Sequence, residues 1–268
     1  MSGRPTENHP RDHGAPAIKG AAQVSNLASR VISLLRQKAS PDRPSVSEHI
    51  VEKLLLAASD PVGFDPEATM DMLRRAQLSD QEILETYIPE AARRLGCFWN
   101  ESVMSFAQVT IVAARLQLMV REVEIDHPRK NARADAGSEL SILVVVCENE
   151  MHTLGCVTLA ASLRNSGHSV RQLVGATQSD FRKVVKQDWY DLILFSCARK
   201  QSLEFVSSLV IYARTNLRTA PPLIIGGAVL AEISDAAERT GVDLATNDLQ
   251  LALKLGDTRC LDKNLVAE

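Results

Sequence analysis

The sequence predicts an α/β protein in which a doubly wound, parallel five-stranded sheet follows a four-helix bundle. Three observations carry this. From Ser141 onward, short apolar runs rich in β-branched residues alternate with segments of helical period, the pattern of strands buried on both faces between helices. Residues 45–125 instead repeat their apolar positions at helical spacing. Between the two, residues 126–137 are charged and poor in apolar side chains, which reads as a linker. The expected organisation is an arm over 1–44, a helical bundle over 45–125, a linker over 126–138 and an α/β domain over 139–268.

Each element has its own signal. The first 20 residues hold Gly3, Pro5, Pro10, Gly14, Pro16 and Gly20 among mostly polar neighbours and are expected to be disordered. Val24, Leu27, Val31, Leu34 and Leu35 then predict a short amphipathic helix within 21–38. Residues 1–45 carry seven basic side chains against three acidic ones, a mildly basic arm. Ser45-Val46-Ser47-Glu48 reads as a capping box, with Ser45 at the cap and Glu48 reciprocating, ahead of Ile50, Val51, Leu54, Leu55 and Leu56. Residues 60–66 form a loop and 67–76 a second helix. Ser79, with Glu82, caps a third helix through Ile83, Leu84, Tyr87, Ile88, Ala91 and Leu95 to Gly96. A corner is expected at 97–100, and Ser105 opens a long last helix through Val109, Ala113, Leu116 and Val120. Four helices with short joints make a small bundle. Beyond the linker, strands are expected near 141–147, 169–174, 191–196, 222–226 and 242–245. Helices are expected near 155–166, 178–187, 200–215, 228–239 and 247–255.

Composition narrows the classes of function. The chain has 268 residues, 45% of them apolar and 24% charged, enough for a sizeable core. A net charge of -3 argues against a dedicated nucleic-acid binder. Five cysteines without a CxxC pair read as reduced thiols of a cytoplasmic protein. The polar N-terminus lacks the apolar core of a signal peptide, and no stretch approaches the ~20 apolar residues that cross a bilayer.

The chemistry concentrates where strands end. Glu150-Met151-His152-Thr153-Leu154-Gly155 closely follows the first strand, at the carboxyl edge where open α/β sheets bind ligands. There Glu150 can hydrogen-bond one ring nitrogen of His152 and tune the other as a metal ligand, and Gly155 lets a ligand approach the backbone. Ser196 ends the third strand, Gly226-Gly227 the fourth, and Thr246-Asn247-Asp248 follows the fifth. Singly these are weak signals, since a lone loop histidine is commonly solvated and Gly-Gly is ordinary turn chemistry. Together they resemble the signature of the cobalamin (B12)-binding domains, D-x-H-x-x-G, then S-x-L, then a Gly-Gly pair. Gly155 and Ser196 lie 41 positions apart and Ser196 and Gly226 30 apart, close to that family's spacing.

The resemblance implies a Rossmann-like domain in which His152 is the lower cobalt ligand. Glu150, Thr153, Gly155, Ser196, Gly226 and Gly227 would hold the cofactor, whose detached nucleotide tail fills a slot beside the sheet. Two positions depart from the signature: Glu150 stands for Asp, giving the contact to His152 a longer and more flexible side chain. Ser196-Cys197-Ala198 stands for S-x-L, keeping the hydroxyl and losing a packing residue. The segment Ile88-Pro89-Glu90-Ala91-Ala92-Arg93-Arg94-Leu95-Gly96-Cys97-Phe98-Trp99 resembles the cap of light-sensing B12 regulators. There a Trp packs on the upper axial group, so Trp99 is the candidate; otherwise it is a core aromatic. Val109-Thr110 replaces the Glu-His of that subgroup, so its upper histidine is absent, and His9, His13 and His49 are the remaining candidates for an upper base. Residues 105–110 through Leu116-Gln117 resemble instead the AerR/PpaA-type antirepressors, which bind a repressor of photosynthesis genes in purple bacteria. The resemblance covers roughly 45–258. It implies adenosyl- or hydroxocobalamin as cofactor, a transcriptional repressor as partner and no catalysis. The acidic charge and the lack of a helix-turn-helix or zinc-finger signature argue against sequence-specific DNA binding, and the lack of a long apolar stretch against a membrane. On this reading light breaks the cobalt–carbon bond and the bundle shifts, with the basic arm as the repressor-docking element. The rival is a corrinoid shuttle protein of a methyltransferase system, which has the same layout; a haem sensor is disfavoured by His152, Ser196 and Gly226-Gly227.

Overall fold

The computed structural model describes residues 46–126 and 139–266, with side chains through 257. Helix α1 (Glu48–Ser59) and helix α2 (Pro66–Arg75) open the chain. They are followed by one continuous rod made of α3 (Asp80–Glu82), a π-helical stretch (Ile83–Tyr87) and α4 (Ile88–Asn100). Helix α5 (Phe106–Asp126) completes the four-helix bundle. Five parallel strands follow: β1 (Ser141–Cys147), β2 (Ser169–Ala176), β3 (Leu192–Ser196), β4 (Leu223–Gly226) and β5 (Leu244–Ala245). They alternate with α6 (Leu154–Asn165), α7 (Gln178–Gln187), α8 (Ser202–Asn216), a 3₁₀ turn (Ala228–Ala231) leading to α9 (Ala236–Thr240), and α10 (Leu249–Val266). The strand order is β2-β1-β3-β4-β5, so the winding reverses between β1 and β3 and opens a crevice above their carboxyl ends. This is the expected fold class.

The period of two along the strands assigns the faces. Leu143, Val145, Ile193, Phe195, Leu223 and Ile225 pack with Phe181 of α7 and Val206 and Leu209 of α8. Ile142, Val144, Val146, Leu192, Leu194 and Ile224 pack with Cys156 and Leu163 of α6 and Ala252 of α10. Helix α6 is apolar on its other side too: Ala161 is buried in the bundle core, and Leu154 and Val157 lean on it. It is a wall shared by the bundle and the sheet.

Several expectations are corrected. Helix α1 begins at Glu48 with Ser47 at its cap and no side-chain cap bond; Glu48 is drawn instead to Arg94 at 2.7 Å. Ser45 lies outside the described residues, as do the 21–38 helix, His9 and His13. Residues 97–100 form no corner: α4 runs through Asn100, because no Gly, Pro or competing cap stops it there, and the turn falls at 101–105. The helix expected near 228–239 is broken into the 3₁₀ turn and α9. The expected caps do form at Ser79, which accepts from the Glu82 N–H, and at Ser105, whose partner is Gln108.

Candidate functional site

The loop after β1 is built around a buried carboxylate. Glu150 has no exposed side-chain surface, whereas the His152 side chain beside it is 62% exposed. Oε1 of Glu150 lies 2.8 Å from Nδ1 of His152 and accepts the His152 backbone N–H at 3.2 Å. A carboxylate oxygen can only accept, so Nδ1 is the donor of this contact and Nε2 is the ring nitrogen left for another partner. The second oxygen, Oε2, accepts the Ala198 N–H at 3.1 Å and the Ser202 hydroxyl at 3.3 Å. Arg199 brings Nε to 3.7 Å from Oε1 and donates to the Asn149 carbonyl. Burial pushes the Glu150 carboxyl up; the hydrogen bonds from His152 and Ala198 outweigh it and hold the group below the usual carboxylate range. The longer side chain has partners at both oxygens. Ala198, the residue that departs from the signature, contributes through its backbone.

The crevice itself is a cleft of about 500 Å³. Its floor is the carboxyl edge of the sheet, with Ser196, Gly226 and Gly227, and Gly155 lines one side. Ser196 and Gly226 are register partners in β3 and β4. Gly227 has φ +109, and a Cβ there would stand 2.2 Å from the Cys197 carbonyl oxygen; no L side chain fits. Gly155 is the opposite case, since a Cβ there would meet nothing within 4 Å, so its lack of a side chain widens the cleft. Asn247 clamps the Gly-Gly turn, accepting the Gly227 N–H at 2.6 Å and donating to its carbonyl at 3.3 Å. Asn247 was visible in sequence only as part of the Thr246-Asn247-Asp248 loop, with no role attached. Leu84, Glu85, Pro89 and Ala92 of the bundle close the cleft from above; Pro89 and Ala92 fall in the cap-like segment 88–99, whereas no functional signal marked Leu84 and Glu85.

Other singled-out residues sort by position. Thr153 precedes α6 and accepts a hydrogen bond from Gln117 of α5 at 3.0 Å, so it tethers the loop to the bundle. Trp99 ends α4 with half its surface exposed, while its neighbour Phe98 is buried in the bundle core; Trp99 is not a core aromatic, and it does not line the cleft. His49 is exposed in the first turn of α1. Cys147 and Cys197 are buried free thiols under the loop, where a hydrogen bond from Cys197 lowers the Cys147 thiol and raises its own. Among the described residues no group of three His, Cys, Asp or Glu side chains could hold a metal by itself. The site offers one imidazole, on the loop that runs directly into Leu154 and Gly155 of the cleft wall, though His152 itself is not among the lining residues. That suits a metal already carried in a large organic ring, which needs one protein ligand. No helix of the described residues is long and apolar enough to cross a membrane.

Fold and site define a parallel α/β protein with a cleft under a helical cap and, on the loop leading into the cleft wall, a single imidazole oriented by a buried carboxylate. The model of the B12 binding domain matches residues 140–247. A relative from Rhodobacter capsulatus, described as an uncharacterized 20.5 kDa protein in the bchF-crtJ intergenic region, is 32% identical over 183 residues, 68% of this chain and 94% of the relative. The chain belongs to the B12-binding domain family and carries a cobalamin-binding domain. Among solved structures, the Methanosarcina barkeri monomethylamine corrinoid protein is similar at 18% identity with a TM-score of 0.58, over 78% of this chain and 98% of that one. At that identity the likeness speaks for the fold, bundle included.

Proposed function

We propose that the protein is a cobalamin-binding, light-responsive antirepressor of the AerR/PpaA type, which binds a repressor of photosynthesis genes and catalyses nothing itself. The observation that carries this reading is the relative encoded between bchF and crtJ, of which the chain spans 94%. His152 would be the lower cobalt ligand through Nε2, with Glu150 fixing the ring. Thr153, Gly155, Ser196, Gly226 and Gly227 would frame the tail of adenosyl- or hydroxocobalamin, and Trp99 would face the upper group. Bound as adenosylcobalamin, the cofactor would supply a cobalt–carbon bond that light can break; hydroxocobalamin would correspond to the form without that bond. The chain's own part is to couple the cap to the loop. Gln117 reaches Thr153 at 3.0 Å, Gln81 reaches Ser162 at 2.8 Å and Asn165 at 2.7 Å, and Glu124 reaches Arg164 at 2.6 Å. Such polar contacts can exchange for others at small net cost, as a two-state cap requires.

The fold shared with the monomethylamine corrinoid protein favours a second reading, a corrinoid shuttle of a methyltransferase system. Spectra of the protein loaded separately with hydroxo- and adenosylcobalamin, in darkness and after illumination, separate the two. A light-dependent spectrum, lost or altered in His152→Ala, supports the photosensory reading. Tight binding without a light response favours the shuttle, and failure to retain either cobalamin overturns both.

A further inference from the structure

Helix α5 presents a stripe that its own bundle does not use. Leu116, Met119, Val120 and Val123 are buried, whereas Ile111, Leu118 and Ile125 are 51%, 41% and 66% exposed. With the exposed Ala107, Ala114 and Arg121 they occupy 107, 111, 114, 118, 121 and 125, intervals of four and three in strict alternation. That is the spacing of a helix–helix seam, and a bundle helix needs no apolar row toward water.

We infer that this stripe joins two copies of the chain, with α5 antiparallel to its partner. In such a pair the two rows of one helix interleave with the opposite rows of the other. A two-fold axis between Ala114 and Leu118 sets Ala107 against the partner's Ile125, Ala114 against the partner's Leu118, and Ile111 against the partner's Arg121. Four of the six layers so formed seat a large aliphatic side chain over an alanine, which lets the axes close to the short end of the ~8–10 Å range. In the other two the arginine stem lies along isoleucine with its guanidinium in water. The flanks set Gln108 beside the partner's Glu122 and Thr110 beside the partner's Glu124; Arg115 falls beside its own copy, but each guanidinium is turned back onto the Ala58 and Asp60 carbonyls of its own bundle at 2.9 and 2.6 Å. A parallel pair would instead bring Glu122, Glu124 and Asp126, at the negative end of the helix dipole, beside their own copies. The antiparallel arrangement uses one patch twice, as a closed dimer does.

Sedimentation equilibrium of the full chain between about 1 and about 100 µM tests this. The expected result is a dimer whose dissociation constant rises at least ~100-fold in Leu118→Asp and in Ala114→Glu, with the far-ultraviolet dichroism unchanged. Arg121→Leu adds an apolar layer without removing anything the bundle uses, and is expected to tighten the dimer ~10-fold. A monomer at the highest concentration overturns the inference, whether residues 21–38 or a partner protein covers the stripe instead. So does a dimer whose affinity all three variants leave unmoved.

Discussion

At Glu150 one methylene more than aspartate decides what the carboxylate reaches: one oxygen serves His152, and the other serves the loop after β3. Glu150→Gln keeps the shape but weakens the hold on the ring, so cobalamin affinity is expected to fall ~10–100-fold with the fold intact. Glu150→Ala also strands the Ala198 N–H, and thermal unfolding should show a loss of about 1–3 kcal/mol. The glycines divide in the same manner. Gly227→Ala meets a carbonyl oxygen at 2.2 Å with φ +109, and is expected to destabilise the domain by more than ~2 kcal/mol. Gly155→Leu has open space and a helical backbone, so its melting temperature should hold or rise while cobalamin binding weakens, as titration of each variant will show.

Within the bundle, Glu90 ties the rod to α1. Bonds from Arg93 outweigh its burial and, with those from Arg94, depress its carboxyl to about 2 from 4.5; Arg94 in turn holds Glu48. The folded form has the lower pKa, so this stabilisation is complete above about 4.5 and is lost as pH falls toward 2. Its size is at most about 3 kcal/mol. Glu90→Gln is expected to melt earlier at neutral pH and to flatten that acid limb, measured by thermal unfolding across the range. The same network shows where sequence reading stopped. Local chemistry was legible: the Ser79 cap, the bounds of α7, and the strand ends that carry Ser196 and Gly226-Gly227. Glu48 was not, because its partner stands 46 residues away, and a distant arginine outbids a local cap. The π-helical stretch and the break after Ala231 have no strong breaker residue to announce them. Likewise the site loop was readable from its residues, whereas the cap's share of the cleft, Leu84 to Ala92, exists only through docking of two units.

At the scale of the molecule, the cleft lies between the bundle and the sheet, and α6 belongs to both. It starts at the His152 loop, packs Cys156 and Leu163 on the sheet and buries Ala161 in the bundle core. Neither unit can lose its structure without stripping an apolar face from this helix. The two should therefore melt as one cooperative unit, with calorimetric and van't Hoff enthalpies that agree; two separated transitions would show the wall to be dispensable. A shared helix also sets a limit on evolution. A bundle of this kind cannot be exchanged for another as a bead is on a string, because a replacement must match the outer face of α6 residue by residue, and change on one side obliges change on the other.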